Sequence, residues 1–247
     1  MIDRRAAFLE WLRSAQLPLS EPYECPYLPG RIARQRGIGA EHLDSPTHQL
    51  FMDTGFRRAG TWLYQMACPS CKQCVPLRVP VASFQPSRSQ RRTLRRNEDV
   101  RLEVARPDLR PDAAALYRAY LSDQHPHSDQ ESSDESLFEW LYRDVTESLE
   151  ARYYLEDELI GVSILDFGDT CLSAVYHFFA PKHRKRRIGV LSVLREIQQA
   201  AQLGLEHYYL GFWISSAPTM AYKSDYGPHE LLRDDLWMTP TADRNAR

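Results

Sequence analysis

Three thiols stand two residues apart in Cys68-Pro69-Ser70-Cys71-Lys72-Gln73-Cys74. A turn with that spacing brings three sulfurs within reach of one centre, and Cys25 is the nearby candidate for a fourth ligand. Four thiolates suit tetrahedral zinc or an iron–sulfur cluster. A soft metal would then organise the N-terminal part of the chain; the alternative is unligated structural or redox-active thiols. The total of five cysteines is odd and three are crowded together. In a cytosolic chain this favours metal or redox chemistry over a disulfide framework.

An arginine stripe follows the cysteines. Arg78 to Arg96 holds six arginines and no acid, although the net charge of the 247 residues is only −2. Arg88, Arg91, Arg92 and Arg95 recur at helical spacing and share one face. Like charges so placed repel unless an anion lies against them, and phosphates or carboxylates match the guanidinium fork. A second run, Lys182-His183-Arg184-Lys185-Arg186-Arg187, precedes a helix predicted to start near Ile188-Gly189. Cations there oppose the helix dipole, whereas a bound phosphate would make the same end favourable. For both runs the competing reading is a solvated basic surface.

Hydrophobic content of 43% and charged content of 26% are ordinary for a globular chain with a real core. The start carries an amphipathic pattern, not an apolar signal core, and no apolar run approaches membrane-spanning length. Helix is expected over 3–15, strand over 61–66 and 75–81 with the cysteine turn between, and a helix capped by Ser87 to about Arg96. A strand over 100–104, a helical region around Ala113–Tyr120 and Leu137–Tyr142, and a polar linker over 123–135 follow. Ala151–Leu155, Leu159–Phe167 and Cys171–Ala180 read as an antiparallel meander. Val190, Leu191, Leu194, Ile197 and Ala201 then mark a helix ended by Gly204, before a buried strand at 208–212, a short helix at 220–223 and a strand near Leu236. The class is α+β, with an acetyltransferase-like (GNAT-like) order in the C-terminal half. The expected division is a basic, cysteine-containing domain over 1–105 and a transferase domain over 106–247.

No Ser/His/Asp arrangement, Walker loop or Gly-rich dinucleotide turn is present. His177 alternates with Tyr176 along a strand and reads as a packed or solvent-facing side chain rather than a base.

An ordered series of motifs carries a family resemblance: Tyr23-x-Cys25-Pro26-Tyr27-Leu28, Gly55-Phe56-Arg57-Arg58-x-Gly60, the cysteine run, Pro76-x-Arg78-Val79-Pro80-Val81 and Arg88-Ser89-Gln90-Arg91-Arg92. Leu172-Ser173-Ala174-Val175-Tyr176-x-Phe178-Phe179, Tyr209-Leu210-Gly211-x-Trp213-Ile214 and Met220-x-Tyr222-Lys223 complete it. The chain resembles the aminoacyl-tRNA–protein transferases, a family that includes arginyltransferases, and within it the bacterial aspartate/glutamate leucyltransferases. The resemblance departs at Ser215-Ser216-Ala217-Pro218-Thr219, where the family usually carries a cysteine and a lysine.

The resemblance implies a cytoplasmic N-degron enzyme that moves leucine from leucyl-tRNA to the α-amine of proteins beginning with Asp or Glu. It also implies a metal or iron–sulfur cluster on Cys25, Cys68, Cys71 and Cys74, with no cofactor required for the chemistry. The tRNA ester is already activated, so proximity can supply about 7–11 kcal/mol and no covalent enzyme intermediate is expected. Arg57, Arg58, Arg78, Arg88, Arg91, Arg92 and Arg95 are the candidates for the acidic acceptor. Arg184, Arg186, Arg187 and Lys223 are those for tRNA phosphates, and Ser173, Tyr176 and Tyr222 for the aminoacyl end. No catalytic base is assigned. The alternatives are an arginyl donor, a CoA-dependent N-acetyltransferase, and a non-catalytic zinc-containing RNA-binding protein.

Overall fold

Asp3 caps the first helix, α1 (Arg4–Ser14), by accepting from the N–H groups of Arg5 and Ala6. The computed structural model in which this is seen describes residues 3–124 and 133–240. Prolines then leave only short extended pieces, β1 (Tyr23–Glu24) and β2 (Ile32–Ala33), which pair antiparallel. β3 (Gln35–Gly39), the Asp44-capped helix α2 (Ser45–Asp53), β4 (Arg57–Ala59) and β5 (Trp62–Met66) come next. The strands form a small sheet in the order β3-β5-β4. Of these elements the sequence pattern predicts α1 and β5; the others lack a clear period.

The remaining strands build one eight-stranded sheet. In chain order the elements are β6 (Val75–Pro80), α3 (Arg88–Arg96), β7 (Val100–Ala105), α4 (Pro111–Gln124) and α5 (Asp134–Leu137), which runs into a π-helical turn over Phe138–Tyr142. Then come β8 (Ser148–Leu155), β9 (Glu158–Phe167), β10 (Cys171–Phe179), α6 (Ile188–Gln202), β11 (His207–Trp213), α7 (Pro218–Ala221), β12 (Glu230–Arg233) and β13 (Leu236–Met238). The strand order is β13-β12-β6-β11-β10-β9-β8-β7. The expected meander is β8-β9-β10, and α6 is the crossover that a parallel β10/β11 pair requires. This is the α+β order expected of the C-terminal half. β5 and β6 flank the cysteine turn as expected but belong to different sheets. Residue 105 ends β7, and strands from both sides of it share the large sheet. The linker expected over 123–135 falls mostly on 125–132, outside the described residues.

The main core lies between this sheet and its helices. Ile160, Val162, Ile164 and Phe178 from the meander meet Tyr117 of α4 and Leu191, Leu194 and Ile197 of α6. Burying an aliphatic side chain of this size contributes about 1.5–3 kcal/mol. Gly204 ends α6 at φ +70°, a conformation open to glycine. A second core of Leu12, Phe51, Phe56, Leu63 and Val145 joins the small sheet and α1 to the loop before β8.

β10 and β11 pair only at Cys171/His207, Leu172/Tyr208 and Ser173/Tyr209. Beyond Ser173, β10 continues beside β9 and β11 continues beside β6, but the two no longer bond to each other. Both shift register at this point, between Ala174 and Tyr176 and between Tyr209 and Gly211. Such irregularities bend a strand and end its pairing. A cleft therefore opens within the sheet.

Candidate active site

Strand register sets a line of polar residues across the sheet below this cleft: Ser148, Asp166, Ser173, Tyr209, Arg78 and Glu230 are successive partners on six strands. The N-terminal elements dock on that line. Arg58 donates twice to Asp166, at 2.5 and 2.8 Å, and also reaches the Arg143 carbonyl at 3.2 Å. Ser148 Oγ donates to the same carboxylate at 2.7 Å, and His48 lies 3.8 Å from it. Burial alone would raise the Asp166 pKa, but the charge and bonds of Arg58 bring it below the usual carboxylate range. Arg78 donates to Glu230 at 2.6 Å, to Asp53 at 3.1 Å and to the Tyr209 hydroxyl at 2.9 Å, and it lies 4.4 Å from the Trp237 ring centroid. Arg58 and Arg78, both expected to bind an acidic acceptor, thus have their charges matched by carboxylates of the chain itself. Asp166 and Asp53 escape a sequence reading, although a charged residue inside the apolar run Leu159–Phe167 signals a buried partner.

Arg57 sits where the strands part. Its Nη1 donates to Ser173 Oγ at 3.0 Å and its Nη2 to the Ala174 carbonyl. Lys223, expected on a tRNA-facing surface, is instead buried at 9% exposure and donates to the Phe212 carbonyl of β11 at 2.9 Å. The two cations converge at Gly211, which has φ +90°. A Cβ there would stand 3.3 Å from Lys223 Nζ and 3.7 Å from Arg57 Nη2. Burial, then the charge of Arg57, pushes the Lys223 ammonium down to about 7, with Cys74 acting in the opposite sense. Aromatic rings of the motif segments pack on one another. Tyr176 packs on Trp140 and Tyr120 at centroid distances of 5.0 and 6.4 Å, and Tyr64 lies 6.3 Å from Phe212. Tyr222 is 42% exposed and lies beside Tyr226. Ser173 is buried beneath Arg57, so it positions that guanidinium.

The two basic runs come together. Ser87 and Gln90 form the reciprocal cap of α3, with bonds of 3.3 and 2.8 Å. The inward face of the helix is polar. Gln90 donates to the Asp225 carbonyl at 3.2 Å and Asn97 to the Arg186 carbonyl at 3.0 Å. Arg88, Arg91, Arg92 and Arg95 are exposed. Arg96 reaches the Lys185 carbonyl at 3.0 Å, Arg186 grips Asp99 with two bonds of 2.9 Å, and Arg187 donates to Ser89 Oγ at 2.8 Å. Arg187 itself is left-handed at φ 58° and starts α6 without a side-chain cap. Arg184 pairs with Asp123. The stripe expected for the acceptor and the run expected for tRNA therefore form one surface.

Cys25, Cys68, Cys71 and Cys74 line one cavity of about 420 Å³, with Arg31, Lys72 and Arg233 among its other walls. All four are free thiols, partly buried. Among the described residues, no three His, Cys, Asp or Glu side chains converge closely enough to hold a metal ion. The donor set nevertheless suits a soft cation. Burial, then Cys68, Cys25 and Cys71, push the Cys74 thiol up to about 12, so thiolates gathered here repel unless a cation lies among them.

Of the two readings left open for His177, packed or solvent-facing, the first holds: Nδ1 lies 2.8 Å from Ser163 Oγ, the ring stacks on Phe179, and burial pushes its pKa down to about 4. Among the described residues no helix is long and apolar enough to cross a membrane.

Comparison with known proteins places these features. The family described as arginine-tRNA-protein transferase, N terminus, matches residues 23–92, and its C-terminus counterpart matches residues 112–233. The aspartate/glutamate leucyltransferase of Halorhodospira halophila is 37% identical over 222 residues, which is 87% of this chain and 93% of that protein. The protein of the same name from Thiobacillus denitrificans is 37% identical over 224 residues, 90% of this chain and 93% of that one. Among solved structures, L-PGS from Bacillus licheniformis overlaps 68% of this chain and 50% of its own at a TM-score of 0.45 and 14% identity. With both halves of the family matched in order along the chain, and the cleft and basic surface assembled from those same segments, the chain belongs to the arginine-tRNA-protein transferase family and is an aminoacyl-tRNA–protein transferase.

Proposed function

We infer that the protein transfers leucine from leucyl-tRNA to the α-amino group of proteins that begin with Asp or Glu, giving a chain that begins with Leu and so serves as an N-degron. The observation that carries this reading is one cleft, opened by the divergence of β10 and β11, in a molecule whose two basic segments join into a single surface. Acceptor-stem phosphates lie against Arg88, Arg91, Arg92, Arg95 and Arg187, and the aminoacyl end enters beside Tyr176 and Tyr222. The neutral α-amine attacks the ester carbonyl, the C–N bond forms, and the C–O bond to the ribose breaks. The proton leaves the amine and ends on the ribose oxygen. The α-amine has an ordinary pKa near ~8, so a useful fraction is neutral at pH 7 and positioning supplies most of the acceleration.

The relatives named aspartate/glutamate leucyltransferase favour leucine over arginine as donor. The four cysteines are the proposed ligands of zinc or an iron–sulfur cluster with a structural role, and the Cys74 sulfur is near enough for its charge to reach Lys223.

The test is to offer the purified protein a mixture of charged tRNAs together with an Asp-initiated peptide. Mass spectrometry is expected to find one added leucine. Addition of arginine, or acetylation when acetyl-CoA is supplied, would refute the reading.

A further inference from the structure

Three arginines withdrawn from solvent around the large sheet are paired with carboxylates. Arg58 holds Asp166 at 2.5 Å, Arg78 holds Glu230 at 2.6 Å and Asp53 at 3.1 Å, and Arg152 holds Glu150 at 2.7 Å. Half-buried Arg57 and buried Lys223 are not. Arg57 bonds a hydroxyl and a carbonyl, Lys223 bonds a carbonyl, and no carboxylate pairs with either among the described residues. Asp166, whose charge reaches Arg57, is already held bidentately by Arg58. Two like charges, one buried and one half-buried, aimed at one point are unfavourable unless an anion joins them.

The geometry offers one place for such an anion. Arg57 comes from β4 and grips β10; Lys223 follows α7 and grips β11. They meet where the two strands part, and both come within 4 Å of the position a side chain at Gly211 would occupy. Glycine leaves that position clear. Most N–H donors of both groups remain unengaged and can serve an incoming acceptor. Burial lowers the proton affinity of both, and the charge of Arg57 lowers that of Lys223 further.

We propose that Arg57 and Lys223 together form the site that reads the first side chain of the acceptor protein, clasping its carboxylate between them where β10 and β11 part. This rests on the transfer reaction inferred above and deepens it. The site explains why an acid is demanded rather than preferred. An amide of the same shape brings no charge to offset the two cations and leaves a buried donor facing the amide N–H₂. It also separates the acceptor's recognition from the outward arginines of α3, which belong to the tRNA surface.

The experiment compares peptides beginning with Asp and with Asn. Their binding is measured by fluorescence anisotropy, leucine transfer to each is measured in parallel, and leucyl-tRNA affinity serves as control. The variants are Lys223→Met, which keeps the stem, Lys223→Arg, which keeps the charge, and Arg57→Lys. Loss of one charge-assisted hydrogen bond corresponds to about 10–100-fold in affinity. Lys223→Met is therefore expected to weaken Asp-peptide binding by about tenfold or more, to shrink the Asp/Asn ratio by the same factor, and to leave tRNA affinity unchanged. Lys223→Arg is expected to restore the ratio, and Arg57→Lys to narrow it. A wild-type Asp/Asn ratio in Lys223→Met would overturn the site while leaving the reaction standing. Failure of the wild-type protein to leucylate any peptide would overturn the reaction, and the site with it.

Discussion

Arg187 donates to Ser89 Oγ over 2.8 Å, and that bond joins two basic segments almost a hundred residues apart. Ser89 lies in the first turn of α3 and Arg187 directly precedes α6. With Asn97 and Arg186 bonded a short way along, the arginine helix is fixed against the start of α6 and its charged face turns outward.

That arrangement predicts how tRNA affinity depends on salt. Each lost phosphate contact lowers the slope of log K against log salt by about 0.7–0.9. Replacing Arg91 and Arg92 together with Ala should reduce the slope by about one to two and weaken leucyl-tRNA binding, with the Asp/Asn peptide preference unchanged. Filter binding across a salt series is the measurement; an unaltered slope would remove the stripe from the tRNA surface.

The bond between Arg58 and Asp166 predicts a different kind of defect. Breaking one side of a buried pair leaves the other charge stranded and costs about 3–5 kcal/mol. Arg58→Ala should lower the urea midpoint accordingly and loosen the N-terminal elements from the sheet. Exposed Arg95→Ala should scarcely move it, because that arginine buries no partner. Equal midpoints for the two variants would contradict the anchoring role.

His177 predicts an acid limb of stability. Its folded value is pushed down to about 4 against the ordinary 6.5, so the unfolded chain takes up a proton first as pH falls. The stability it supports is complete above about pH 6.5 and is lost progressively toward pH 4, by up to roughly 3 kcal/mol. His177→Gln should flatten this part of the pH–stability curve. A variant curve as steep as the wild type over that window would assign the limb to other groups.

The cysteine cavity predicts a metal-dependent N-terminal region. Protein purified without oxygen should carry zinc or iron by elemental analysis, and Cys71→Ser should carry substantially less. Chelation of the bound metal should lower thermal stability, since ligand binding to the folded state adds to it. Metal content that is nil in the wild type, or unchanged in Cys71→Ser, would return these residues to the role of packed thiols.

Much of the fold was legible along the chain. Ser87 and Gln90 announce α3, alternating apolar residues announce β8 to β10, and the spacing from Val190 to Ala201 with Gly204 announces α6. These signals are local, since a cap or a period acts within a few residues. α2, β4 and β12 were not legible. β4 is three residues, Arg57-Arg58-Ala59, with no alternation to read, and it is held by what lies above and below it.

The amino-acid sequence by itself determined the α+β class, the family motifs, the two basic runs and the four thiols, because each is a matter of residue type and spacing. Tertiary structure alone decided which arginines are free. Arg57 and Arg58 are neighbours of identical chemistry, yet Arg58 is bonded to Asp166 while Arg57, among the described residues, donates to Ser173 and a carbonyl. The difference arises because successive residues of a strand point to opposite sides, and what waits on each side is set by chain more than a hundred residues away.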